Sequence, residues 1–239
     1  MLEIRAKVVR KTWAKRCNKW IFVSDETNAS FPTIGFGTEL GREHLTAKTM
    51  RAFDYIYEHH INDADWFLKA DDDTYVIVEN LRYLLSEHSP REPIYFGHLF
   101  KVLVKQGYFS GGAGYVLSRE ALERFGKRDK KLCVDDGGSE DVNFGKCMEN
   151  LNVLSGDSRD RFGRSRFHCF SIQDTLGRHY MPWYYAYSKY NPDETNVSDY
   201  PISFHYVSPE SMEFLEYYVY HLKVYGEDWA LNDRNISAG

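Results

Sequence analysis

An alternation of helix-periodic segments with short unbroken apolar runs constrains this chain more than any other feature of its sequence. In "LEIRAKVVRKTWAKRC" the residues Ile4, Val8 or Val9 and Trp13 recur near helical spacing, and "KWIFVSD" follows with the apolar run Trp20-Ile21-Phe22-Val23. After a Gly-rich connection, "TIGFGTELG", a second helix is predicted from about Glu43 to His60, with Leu45, Met50, Phe53, Ile56 and Tyr57 able to share a face. "DADWFLKADDD" then supplies a second strand. Runs without polar alternation suit strands buried on both faces, so the pattern predicts an α/β domain with a mostly parallel sheet covered on each side. Ligands of such sheets bind beyond the carboxyl ends of the strands.

Further along, "NLRYLLSEH" reads as a helix, "PIYFGHLF" as a strand, "SGGAGYVLS" as a tight turn entering a strand, and "REALERFGKR" as a helix. Cys133 to Ser165 is Gly- and Asp-rich and reads as mainly loop. "HYMPWYYAYSKYNP" is dense in aromatics, and "PISFHYV" is a short strand. "SPESMEFLEYYVYHLKVYG" is a helix capped by Ser208 or Pro209 and closed by Gly226, with a frayed tail beyond.

With 239 residues, 43% of them hydrophobic, the chain can build the core of one large domain or two small ones. A net charge of −5 and no basic stripe argue against nucleic acid, whose binding rests on clustered Lys and Arg. No window approaches the roughly 20 apolar residues of a membrane span. Cys17, Cys133, Cys147 and Cys169 lack CxxC spacing, which disfavours zinc and fits disulfides or buried thiols equally. Three glycosylation sequons, beginning at Asn28, Asn196 and Asn235, permit a secretory address.

The second strand runs into Asp71, Asp72 and Asp73, and like charges this close repel and resist desolvation. In an extended chain Asp71 and Asp73 project to one side about 7 Å apart while Asp72 points to the other. The alternating pair can address one cation, and hard oxygen donors select Mg2+ or Mn2+ over zinc. The plainer alternative is an Asp-rich turn whose carboxylates cap backbone amides. Because an ion held this way ordinarily serves a phosphate-bearing substrate, the cluster predicts a diphosphate site with its metal. His205 in "ISFHYV" is either a further ligand, imidazole suiting Mn2+ better than Mg2+, or a satisfied structural histidine.

The strings "DADWFLKADDDTYV", "PIYFG", "VKQGYFSGGAGYVLSREAL", "CVDDGGSEDVNFGKCM", "LSGDSRD" and "SFHYVSPESM" together closely resemble the core 1 β1,3-galactosyltransferases, which belong with the Fringe-like inverting glycosyltransferases. The likeness runs from about Ala6 to Gly226. It implies a GT-A fold, a Rossmann-like α/β domain over residues 1–226 that binds a UDP-sugar and Mn2+, with residues 227–239 as a disordered tail. It also implies transfer of galactose from UDP-galactose to the 3-hydroxyl of N-acetylgalactosamine (GalNAc) on Ser or Thr of a glycoprotein. The implied address is the Golgi lumen or membrane, and a homodimer is compatible with the family.

In that resemblance "DDD" matches the DxD motif, with Asp71 and Asp73 on the metal, Asp71 and Asp72 on the nucleotide, and His205 at the metal-ligand histidine. Inversion at the anomeric carbon calls for one carboxylate on the acceptor side to take the hydroxyl proton. In "GGSEDVNFG" the family pattern makes Asp141 that base and leaves Glu140 to orient the acceptor; an Asp that merely caps the following helix is the alternative. Gly41, Arg42 and Lys48 of "ELGREHLTAK" match the loop and helix start that hold the uridine diphosphate. Gly111 and Gly112 of "SGGAG" match a turn that lets backbone approach the sugars. Trp183 and Tyr184 match an aromatic acceptor site, although aromatic clusters also serve as core.

Cys133 and Cys147 match a family disulfide. The family's cytoplasmic tail, anchor helix, stem and first strand have no counterpart ahead of Leu2, so the resemblance implies a GT-A domain lacking that strand and leaves Cys17 without its partner. Asn196-Val197 replaces an adjacent cysteine pair, Cys169 stands where the family has none, a donor-helix tryptophan is Thr46, and the acceptor "WYW" is Trp183-Tyr184-Tyr185. Two rival readings remain: a non-catalytic chaperone or sugar-binding relative, and a Fringe-like transferase of another UDP-sugar.

Overall fold

The computed structural model describes residues 2–28, 31, 33–39, 41–189 and 197–225. Gly226, the predicted tail, and parts of all three sequons lie outside the described residues. The elements are α1 (Leu2–Lys11), β1 (Phe22–Ser24), β2 (Thr33–Gly35), α2 (Leu45–His60), β3 (Trp66–Lys69), β4 (Tyr75–Val76), α3 (Val78–Leu85), β5 (Ile94–Gly97), β6 (Leu99–Phe100), β7 (Tyr108–Phe109), β8 (Tyr115–Ser118), α4 (Arg119–Gly126), α5 (Glu140–Asn150), β9 (Leu154–Ser155), β10 (Phe167–His168), α6 (Ile172–Gly177), α7 (Pro182–Tyr187), β11 (Ser203–Phe204) and α8 (Pro209–Tyr220).

The central sheet has the order β3-β8-β5-β9. Its side chains alternate between two cores: Tyr95, Tyr115 and Leu117 join Met50, Phe53, Phe125 and Phe144 on one face, while Phe96 and Val116 join Tyr75, Leu84 and Phe204 on the other. Both faces are therefore buried, as the apolar runs require. The expected parallel pairing is not observed here: β8 runs antiparallel to both β3 and β5, and β9 alone is parallel to its neighbour. An unbroken apolar run reports burial on two faces and says nothing of strand direction. Parallel pairs occur instead between β1 and β2 and between β10 and β11, and β11 pairs antiparallel with β4.

Helix α2 follows a turn of 3-10 helix over Arg42–His44 and buries Thr46, Ala47, Met50 and Phe53 along one stripe, close to the predicted element. Ser208 caps α8 by accepting from the Ser211 amide, with Pro209 in the first turn, and the helix ends at Tyr220. Helix α1 and the turn that follows it are tied to α8: Lys11 pairs with Glu213 at 2.9 Å, and Glu216 takes Lys15 at 2.7 Å and Arg16 at 2.8 Å. Ala6 is fully buried and Val9 nearly so.

Three further expectations need correction. The first strand begins at Phe22 rather than Trp20. "PIYFGHLF" divides into β5 and β6, because His98 is buried between them with Nδ1 on the Phe167 carbonyl and Nε2 near Tyr184. The segment from Cys133 to Ser165 is not mainly loop, since it contains α5 and β9. No helix among the described residues is long and apolar enough to cross a membrane.

Candidate active site

Strand β3 stops at Lys69, and the three aspartates lie in a turn closed by the Thr74 amide donating to the Asp71 carbonyl at 3.1 Å. The extended geometry expected for them is thus corrected. A turn and a convergent acid cluster prove compatible, because neighbours fix the turn on both sides. Thr74 Oγ1 donates to the Gly112 carbonyl at 2.7 Å, and the Val207 amide to the Asp73 carbonyl at 2.8 Å.

The second of these links carries His205 to the acids. The His205 amide reaches the His168 carbonyl, and Tyr206 takes a left-handed backbone, φ 54°, which turns the chain. His205 Nδ1 lies 3.3 Å from the Cys169 carbonyl. With Nδ1 on that carbonyl, Nε2 faces the carboxylates, where it donates to Asp73 when the ring is protonated and offers a lone pair to a metal ion when it is neutral. Nε2 is 3.2 Å from Asp73 Oδ1 and 4.0 Å from Asp71 Oδ2. Asp71, Asp73 and His205 each offer a ligand atom, all within 4.8 Å of one another. Two carboxylates and an imidazole suit Mn2+. Burial works against ionisation of Asp73, yet the hydrogen bond and charge of His205 and the charge of Arg5 hold its carboxyl below the usual range.

Asp72 points away from this cluster, to Arg5 Nη1 at 3.1 Å. The same nitrogen lies 3.3 Å from Asp73 Oδ2. Arg5 sits on α1, far from the motif in sequence, and no local signal marks it.

Lys69 reaches the cluster from the end of β3. Its Nζ is 2.5 Å from Asp71 Oδ1, 3.1 Å from the Gly111 carbonyl and 3.9 Å from Glu140 Oε2. Burial opposes the charge on Lys69, and the charges of Asp71 and Glu140 more than offset it, so its pKa lies above the ordinary lysine value. Sequence reasoning missed this residue, although a lysine inside an otherwise apolar strand run was its signal.

Glu140 is 9% exposed and accepts from Tyr115 Oη at 2.6 Å through its other oxygen. Both oxygens have protein partners, which fix the carboxylate in place beside Asp141. Its neighbour Asp141 is different. Ser139, not Asp141, occupies the cap position of α5, and Asp141 Oδ1 takes the adjacent Val142 amide at 2.9 Å. Burial first, then the Glu140 charge, push its pKa to about 6 against the Val142 and Gly111 amides and Lys69.

The glycine turn joins the two halves. A Cβ at Gly112 would lie 2.1 Å from the His205 ring, and one at Gly111 2.6 Å from Glu140 Oε2 and 3.7 Å from Asp141 Cβ. The absence of side chains at Gly111 and Gly112 lets metal-type ligands and the acid pair approach opposite ends of one turn.

The remaining predicted residues are placed less directly. Gly41 has φ 127°, a conformation that favours glycine, ahead of the helical turn bearing Arg42. Among the described residues neither Arg42 nor Lys48 makes a hydrogen bond or ion pair with the aspartates. Trp183 is 45% exposed, whereas Tyr184 is buried beside His98, so only the tryptophan presents an open ring. Cys133 and Cys147 form the disulfide that the resemblance implied, and Cys17 and Cys169 are free thiols.

An α/β frame that gathers Asp71, Asp73 and His205 on one side of a glycine turn and Asp141 on the other accords with what comparison with known proteins finds. The chain matches the Fringe-like family over residues 2–160, and it belongs to that family. It is 47% identical over 232 residues to glycoprotein-N-acetylgalactosamine 3-beta-galactosyltransferase 1 of Xenopus laevis, covering 94% of this chain and 64% of that protein's length. The resemblance drawn from the sequence is therefore borne out. Beta-1,3-glucosyltransferase of Mus musculus is 29% identical over 152 residues, covering 62% of this chain and 31% of that protein. Chondroitin sulfate synthase 3 of Homo sapiens is 28% identical over 118 residues, covering 44% of this chain and 13% of that protein.

Proposed function

We propose that residues 1–226 act as a GT-A domain that transfers galactose from UDP-galactose, with inversion, to the 3-hydroxyl of GalNAc on Ser or Thr of glycoproteins. The observation that carries this reading is the Asp71, Asp73 and His205 cluster set across the Gly111–Gly112 turn from Asp141. The name of the Xenopus relative supports the choice of sugar and acceptor.

Asp71, Asp73 and His205 would hold Mn2+, whose charge offsets that developing on the departing diphosphate. Asp141 accepts the proton of the acceptor hydroxyl. With a pKa of about 6 it is ionised at neutral pH yet more basic than an ordinary carboxylate. The acceptor oxygen forms its bond to the anomeric carbon as the bond to the diphosphate breaks, and UDP leaves with that electron pair. Glu140, held by Tyr115 and Lys69, keeps a fixed negative charge beside Asp141. The open ring of Trp183 offers a face for the acceptor sugar. By likeness to the family we place the protein in the Golgi lumen as a homodimer; a monomer in sedimentation would remove the dimer from this reading.

The test is an assay of the protein with Mn2+, a GalNAc-α-Thr peptide and a panel of UDP-sugars. Galactose transfer with a β-linked product is expected. Preference for UDP-glucose, which the mouse relative's name makes the relevant rival, would replace the donor assignment. Tight UDP binding without transfer from any donor would favour a non-catalytic relative.

A further inference from the structure

Arg5 occupies a place that the chemistry of the site leaves unexplained. Its Nη1 touches Asp72 Oδ1 and Asp73 Oδ2, while Asp73 directs its other oxygen, Oδ1, to His205. One carboxylate thus faces the candidate metal position with one oxygen and Arg5 with the other. The guanidinium is only partly committed. Among the described residues its hydrogen bonds all run through Nη1, and its side chain is 33% exposed, so Nε and Nη2 retain donors. The alternative cation is not available in this way, because Lys69 is already taken by Asp71 and the Gly111 carbonyl, with Glu140 alongside.

The position is also fixed from behind. Arg5 precedes the fully buried Ala6 on a helix that Glu213 and Glu216 of α8 clamp in place, and α8 follows the segment that delivers His205. Helix α1 and His205 are therefore registered to each other through α8 and converge on Asp73 from two sides. Charge adds a reason for a cation here. With His205 neutral, as a metal ligand would be, Asp71, Asp72, Asp73, Glu140 and Asp141 bring five formal negative charges against two positive charges on Lys69 and Arg5, a balance of three negative. A divalent ion reduces that to one, so an arriving diphosphate still meets a net negative site. It needs a donor fork turned toward it, and arginine's planar set of donors matches phosphate oxygens.

We propose that Arg5 is a ligand of the donor's diphosphate, held on Asp72 and Asp73 until the nucleotide arrives and then shared between those carboxylates and the phosphate oxygens. The assignment rests on the metal and nucleotide reading of the site given above. It adds to Arg42 and Lys48 a phosphate-binding cation on a helix that the sequence did not connect with the motif.

The role sets two affinities in opposite directions. Arg5→Gln removes a positive charge next to Asp73, so Mn2+ without nucleotide should bind as well as in wild type or tighter. With saturating Mn2+, UDP should bind tenfold or more weakly, while uridine, which has no phosphate, should bind unchanged. Arg5→Lys should keep part of the UDP affinity, since it retains charge without the fork. Electron paramagnetic resonance of free Mn2+ and calorimetry with UDP and uridine read these quantities on the full chain, with thermal midpoints confirming a folded variant. Unchanged UDP affinity in Arg5→Gln would overturn the proposal, as would equal loss of Mn2+, UDP and uridine binding, which marks a structural role. Failure of the wild-type protein to bind Mn2+ at all, in contrast, would remove the reading of the site on which the proposal stands.

Discussion

Asp73 and Asp141 are carboxylates on either side of one glycine turn, and their surroundings push them in opposite directions. Asp73 has His205 and Arg5 against it, which hold its carboxyl below the usual range, as the proposed metal role requires. Asp73→Asn keeps the shape and removes the charge, and it is expected to abolish Mn2+-dependent UDP binding in calorimetry. His205→Ala should weaken it less, since water can occupy the vacated position; an unchanged Asp73→Asn protein would remove the metal assignment. Asp141, raised to about 6 by burial and by Glu140, holds a carboxylate that the fold disfavours. Its contribution to stability is full below the unfolded value near 4 and is lost as pH rises through about 6. Asp141→Asn should therefore raise the thermal midpoint at pH 7, by up to about 2 kcal/mol of stability, and leave it nearly unchanged at pH 4. Turnover should fall by roughly 10²-fold or more with UDP affinity intact, and the wild-type rate should climb with pH through about 6. Normal turnover in Asp141→Asn would take the residue out of the mechanism.

Among the elements, the glycine turn between β7 and β8 is the part on which both halves of the site depend. Gly112 does not have a positive φ, so its requirement is steric: an added methyl meets the His205 ring at 2.1 Å. Gly112→Ala should displace the imidazole from the Cys169 carbonyl and lower Mn2+ affinity tenfold or more while the fold persists, as Mn2+ titration and circular dichroism together would show. Retained Mn2+ affinity would mean the ring can move aside without leaving the site. The sequence made much of this level legible. Helix α2, the acids at the end of β3 and the His205 strand follow from periodicity and from the run "WFLKADDD". Strand direction was not legible, because β3, β8 and β5 are buried on both faces whichever way they run. Arg5 is not legible for a related reason: an ion pair across the fold leaves no periodic trace, and Arg5 is 67 residues from Asp72, whereas Lys69 pairs two residues away and its signal is a lysine beside an apolar run.

Over the molecule as a whole, Asp141 is held by a loop and a helix that the Cys133–Cys147 disulfide closes on themselves, the two cysteines lying 14 positions apart in sequence. The same segment is tied to α2 by Thr46 Oγ1 and Asn143 Nδ2, which both donate to the Gly137 carbonyl at 2.7 Å. Phe144 packs on Phe53, anchoring α5 in one of the two cores. The metal-type ligands depend instead on β3, β11 and the clamp between α1 and α8, and the disulfide touches none of these. Replacing Cys133 and Cys147 together by serine should consequently act unequally. A crosslink closing a loop of this length contributes about 3 kcal/mol by restricting the unfolded chain, so the thermal midpoint should fall. Near room temperature, where the protein stays folded, looser placement of Asp141 should lower turnover several-fold while Mn2+ and UDP affinity change little. Equal loss of turnover and of UDP affinity would show that the two halves of the site are mechanically one, and that the disulfide supports both.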